Sequence, residues 1–112
     1  MDMLVEEWDG GVTSVVLRGR LDTIGAGKID LKFSAVAGAK RAIVVDLSSV
    51  DFLASLGIRV LVLGAKAVRN KGGKVVLLSP DENVHSVLKT AGIQEIIPIV
   101  FDRSAAIAAV QP

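Results

Sequence analysis

Ser55 is the residue whose surroundings best suit chemistry. It lies in the stretch Asp46-Leu47-Ser48-Ser49-Val50-Asp51-Phe52-Leu53-Ala54-Ser55-Leu56-Gly57-Ile58-Arg59. An apolar run, Ala42-Ile43-Val44-Val45, enters this polar turn, and a helical pattern leaves it at Ser55. The hydroxyl therefore belongs to the first turn of a helix, where backbone N–H groups have no intrahelical partner. Free amides and the helix dipole favour negative charge there, so a serine at that place suits phosphorylation. A plain N-cap role for the same serine is the simpler alternative, and the two roles are compatible. Arg59 and Lys66 follow Ser55 at helical spacing and share its face. Gly57, two residues on, has no side chain to hold a partner away.

Hydrolysis is the competing chemistry. Leu53-Ala54-Ser55-Leu56-Gly57 is similar to a nucleophile elbow, but its first position is Leu53 where that motif needs glycine. His85, the single histidine, would have to act as base, with Asp81 or Asp102 orienting it. The glycines of Gly25-Ala26-Gly27-Lys28 do not make a phosphate loop either, because the remaining spacing and the Ser/Thr are missing.

Composition narrows the partners. The chain has 112 residues, 51% of them hydrophobic and only 4% aromatic, which predicts one domain with an aliphatic core. Thirteen basic and twelve acidic residues leave a net charge of +1, without the basic excess a nucleic-acid partner requires. Cysteine is absent, so disulfides and thiolate metal sites are excluded. The acidic start, Met1 to Trp8, has no signal-peptide pattern, and the apolar run at 60–65 is too short for a bilayer. A cytoplasmic protein with no membrane partner is expected.

The elements that must position Ser55 follow from periodicity. Strands are predicted at 4–8 and 12–18, joined as a hairpin through Asp9-Gly10-Gly11. Asp22 or Thr23 caps a helix over 24–38 that buries Ile24, Ile29, Phe33 and Val36. A buried strand spans 42–47, followed by the polar turn. The helix from 55 to 70 buries Ile58, Leu61, Val62, Ala65 and Val68, and Gly72-Gly73 ends it. A strand at 74–79, a helix from Asp81 to about residue 90 and a short strand at 95–99 come next. A terminal helix capped by Asp102 or Ser104 completes the chain. The order β-β-α-β-α-β-α-β-α predicts an α/β fold whose sheet is mixed but mostly parallel, with an N-terminal hairpin and about four helices. Ser55 falls where a strand ends and a helix begins, the edge at which such sheets collect functional groups.

Three segments give the chain its likeness to a known family. Leu17-Arg18-Gly19-Arg20-Leu21-Asp22 resembles a strand ending in L-x-G-x-L-D. The stretch from Asp46 to Gly57 is similar to a signature with D-L-S, an aromatic residue and S-x-G. Lys71-Gly72-Gly73-Lys74-Val75-Val76-Leu77 resembles the glycine turn and strand that follow. Together they resemble the STAS domain, and specifically the bacterial anti-sigma factor antagonists.

The resemblance implies a single STAS domain over 1–112, with no catalysis or cofactor of its own. The implied partner is an anti-sigma factor with an ATP-binding serine-kinase fold, which phosphorylates the serine at position 55 and is thereby released. A PP2C-type, metal-dependent phosphatase restores the serine, so ATP and metal belong to the partners. The expected docking surface comprises Ser48, Ser49, Asp51, Phe52, Leu53 and Ala54 of the turn, and Leu56, Gly57, Arg59 and Lys66 of the helix. Asp22, at the neighbouring strand end, adds a further contact. The chain departs from the family pattern at Ala54, where an acidic residue is common, and at Leu56, where a small or polar one is. A non-phosphorylated docking module of a transport or signalling assembly is the alternative.

Overall fold

In the computed structural model, which describes residues 1–111, strands and helices alternate after an N-terminal hairpin. The elements are β1 (Asp2–Trp8), β2 (Val12–Leu21), α1 (Thr23–Ala39), β3 (Ala42–Leu53), α2 (Ser55–Asn70), β4 (Lys74–Leu78), α3 (Glu82–Thr90), β5 (Ile99–Val100) and α4 (Arg103–Val110). The sheet order is β1-β2-β3-β4-β5, with β1 antiparallel to β2 and all other pairs parallel. This is the mixed, mostly parallel arrangement with four helices that the pattern predicts.

The two-residue period of a strand decides which side each helix covers. Odd-numbered residues Val15, Leu17, Ile43, Val45, Leu47, Val75 and Leu77 face α1, α2 and α3, meeting Ile29, Phe33, Leu61, Val68 and Leu88. Even-numbered Val12, Val44, Val76 and Leu78 face the opposite way and are covered by Ala106 and Val110 of α4. Fully burying one such aliphatic or Phe side chain stabilises the fold by ~1.5–3 kcal/mol. Three helices thus crowd one face, and their N-termini gather at the C-terminal edge of the sheet. No helix among the described residues is long and apolar enough to cross a membrane.

Four expectations need correction. First, residues 48–53 are not a turn: β3 continues to Leu53, pairing with β2 through Leu21↔Leu53. Its register slips between Val16 and Arg18 and again between Gly19 and Arg20, leaving two extra residues on β3. Those bulges turn Leu47, Val50 and Leu53, spaced by three, toward one core. Second, Ile24 is 71% exposed. Gly25 and Ala26 face the core in its place, because a Cβ at Gly25 would strike the Arg20 carbonyl. Third, Val36, Ile58 and Val62 are only partly buried against that core. Fourth, the strand expected at 95–99 is a 3₁₀ turn, Ile93–Glu95, and then the two-residue β5. Ile93 and Ile97 are buried four residues apart, a helical spacing that draws this segment out of the sheet.

Candidate functional site

Ser55 is the first residue of α2 and is exposed. Its neighbour Ala54 occupies the N-cap, and no side chain caps this helix. The serine is therefore not the cap. The junction is fixed instead by backbone: the Ala54 N–H donates to the Leu21 carbonyl at 3.0 Å, and the Ile58 N–H donates to the Ala54 carbonyl at 3.1 Å.

Gly57 also has a role different from the expected one. It is buried, and a Cβ there would lie 2.6 Å from Leu21 Cγ, 2.7 Å from the Leu21 carbonyl oxygen and 3.0 Å from Leu53 Cδ1. The missing side chain thus lets α2 settle on the ends of β2 and β3, rather than admitting a partner. Leu53, 5% exposed, belongs to the same packing and presents no side chain to a partner.

Of the remaining expected residues, all but Asp22 are exposed, along β3 and α2. Ser48 and Ser49 are exposed on β3, and the Ser48 N–H donates to Asp46 Oδ1 at 2.9 Å, which supports the first bulge. Asp51 is exposed, and Phe52 is 40% exposed. Arg20, which the sequence reading passed over, stacks its guanidinium 4.2 Å from the Phe52 ring centroid and pairs with Asp22 at 3.5 Å. Its signal is the strand register: Arg20 lies opposite Phe52, a cross-strand pairing visible only once the bulges are placed. Asp22 is half-buried, and its Oδ1 accepts from the Gly25 N–H at 2.8 Å. That hydrogen bond, with the Arg20 guanidinium beside it, holds the Asp22 carboxyl below the usual carboxylate range. Leu56, Arg59 and Lys66 are exposed along α2.

The hydrolase reading finds no support in this geometry. Asp81 and Asp102 each cap a helix, accepting from the Val84 and Ala105 N–H groups at 2.8 Å. His85 packs edge-on against Phe101, with ring centroids 5.2 Å apart. What the arrangement offers is an exposed serine at a helix start without a side-chain cap, on a surface that also carries an aromatic ring and both signs of charge.

Comparison with known proteins agrees with this layout. The STAS domain family model matches residues 5–106. BtrV of Bordetella bronchiseptica, provisionally named an anti-sigma factor antagonist, is 31% identical over 110 residues, covering 97% of this chain and 94% of that protein. The crystal structure of an anti-sigma factor antagonist from Mycobacterium paratuberculosis is similar with a TM-score of 0.86 and 27% identity, over 97% of this chain and 92% of that one. The phosphorylated form of SpoIIAA from Bacillus shares the fold, with a TM-score of 0.72 at 20% identity over 96% of this chain and 97% of that one.

Proposed function

This chain belongs to the STAS domain family, and on that premise we propose that it is an anti-sigma factor antagonist switched by phosphorylation of Ser55. Residues 1–112 act as one such domain in the cytoplasm. The unmodified protein binds an anti-sigma factor with an ATP-binding serine-kinase fold, and the phosphorylated protein is released. A PP2C-type phosphatase reverses the change. The observation that carries this reading is the exposed Ser55 hydroxyl at the uncapped start of α2. SpoIIAA, a fold relative, exists in both unphosphorylated and phosphorylated forms.

The physical mechanism is a change of charge within the contact. Phosphorylation adds about −1.5 to −2 charges at neutral pH. The contact comprises the half-buried Asp22 and the exposed Ser48, Ser49, Asp51, Phe52, Leu56, Arg59 and Lys66. A partner fitted to this surface must desolvate the new charge, and each ~1.4 kcal/mol lost is tenfold in affinity.

A pull-down from the native host with wild type, Ser55→Ala and Ser55→Asp, with ATP present or withheld, tests the reading. Ser55→Ala is expected to retain the anti-sigma factor whatever the ATP. Wild type should release it when ATP is added and gain the mass of one phosphoryl group. Ser55→Asp should bind about tenfold more weakly, or worse. Equal binding by Ser55→Ala and Ser55→Asp would defeat the charge mechanism. An unmodified Ser55 under the same conditions would favour the constitutive docking module instead.

A further inference from the structure

The cleft between α1 and α2 is lined by Thr23, Gly27 and Asp30 on one side and Leu56, Arg59 and Leu63 on the other, and holds about 340 Å³. Leu56 and Leu63 line it while 43% and 52% exposed, and Ile24 and Leu31 on the outer surface of α1 are 71% and 84% exposed. Helical spacing orders what surrounds them. Ile24 and Leu31, seven residues apart, crown α1, while Lys28 and Lys32 form a row on the flank away from α2. On α2, Leu56 and Leu63 edge the cleft, Arg59 lines it and Lys66 follows on the same side as Arg59, while Arg69 lines a separate pocket beside Lys74 and Ile96.

The charge on these two helices is one-sided. They carry five cations (Lys28, Lys32, Arg59, Lys66 and Arg69) and one acid, Asp30, a net +4 in a chain of net +1, so the rest of the protein carries −3. Among the described residues the two ion pairs are Arg20–Asp22 and Lys40–Glu7, so none of the five cations is engaged in one. An apolar stripe is thus flanked on both sides by free positive charge.

Gly27 supplies a second, independent observation. It lies inside α1 with a φ in the ordinary range, and a Cβ there would meet nothing within 4 Å. No packing demands glycine, and glycine inside a helix is destabilising relative to alanine. It lines the cleft, so a larger side chain there would project into the groove.

We propose that this cleft seats an acidic amphipathic helix of the anti-sigma factor, its apolar stripe on the four exposed Ile and Leu side chains and its carboxylates on the two cationic rows. Such helix-in-groove recognition is read as i, i+3, i+4 and i+7 anchors. The cleft is concave, which fits a helix better than a lipid surface. Asp30 within it calls for one hydroxyl or amine among the partner's anchors. Ser55 lies on the Arg59 and Lys66 side of α2, four and eleven residues before them. A phosphate there would lie one turn from Arg59, which links the cleft to the switch. The proposal rests on the anti-sigma reading for the identity of its partner, and the cleft itself is testable without it.

The test is an NMR titration of the full chain with a designed peptide bearing leucines at those spacings and glutamates on both flanks. Its lysine counterpart, and vesicles of phosphatidylcholine with phosphatidylglycerol, serve as the other probes. The glutamate peptide is expected to shift the amides of Ile24, Leu31, Leu56 and Leu63, more weakly as salt rises. Gly27→Leu, which fills the cleft, and Lys28→Glu/Lys32→Glu, which reverses one row, should each weaken binding about tenfold. Thermal unfolding of both variants checks that they fold. Equal response to both peptides, shifts confined to the β1 edge, no response to the glutamate peptide, or binding to vesicles alone would overturn the proposal. In the pull-down, Gly27→Leu should retain about tenfold less anti-sigma factor than wild type. Equal retention defeats the cleft and leaves the functional reading standing. If Ser55→Ala retains no anti-sigma factor at all, the reading fails, and with it the partner's identity, while the titration still judges the cleft.

Discussion

Helices α1, α3 and α4 each start behind an aspartate, whereas α2 starts behind an alanine. Asp22, Asp81 and Asp102 accept from the amide three residues on, at 2.8 Å in every case. Such a cap satisfies one orphan donor and sets a negative charge against the positive end of the dipole. Ala54 does neither. The start of α2 is instead built into the sheet through Gly57 packed on Leu21 and the bond from Ala54 to the Leu21 carbonyl. Three helices carry a side-chain cap at their start, and α2 begins without one. An anion at the start of α2 is thus not needed to form that helix, which leaves room for the phosphate proposed at Ser55.

That contrast breaks most visibly at Gly57. Gly57→Val should cost about 2–3 kcal/mol in urea unfolding, because the added atoms meet the Leu21 backbone and cannot be accommodated by a rotamer change. An unchanged midpoint would mean that packing does not hold this helix start. Next in size are the caps. Asp81→Ala and Asp102→Ala should each lose ~1 kcal/mol, while Ala54→Asp, which supplies the missing cap, should gain a similar amount. Absence of that gain would mean that the start of α2 has no vacant cap to fill.

The smallest effect is the pH dependence of Asp22. Its carboxyl is held below the ordinary value, so its cap is fully stabilising above the unfolded carboxylate pKa of ~3.9 and is lost as pH falls through the folded value. Wild type should therefore lose ground to Asp22→Asn only below about pH 4, with a constant difference between them at higher pH. A gap that narrowed near neutrality would assign the effect to another group.

Most of this architecture is legible in the sequence because its signals are local. The hairpin, the strand at 74–78, the helix opening at Ser55 and the capping aspartates are all set by neighbouring residues. What escapes a sequence reading depends on contacts far along the chain. Residues 48–53 read as a turn because Leu47, Val50 and Leu53 break the strand period, and only pairing with β2 converts that spacing into two bulges. Gly57 reads as an opening for a partner because its true neighbour, Leu21, is distant in sequence. Arg20 goes unnoticed for the same reason, since Phe52 becomes its partner through register. Ser55 stands out in the sequence because it marks a strand-to-helix transition, which needs no distant contact, and α2 does begin there.

The pairing of β2 with β3 runs as far as Leu21 and Leu53, and the next amide, that of Ala54, is already bonded to the Leu21 carbonyl. Esterifying the neighbouring alcohol would therefore meet a platform with no slack in it. Such a signal would be written in valence rather than in shape, so the two forms should superimpose. Each conversion could then proceed at the pace of the kinase or phosphatase, with no refolding step to wait for.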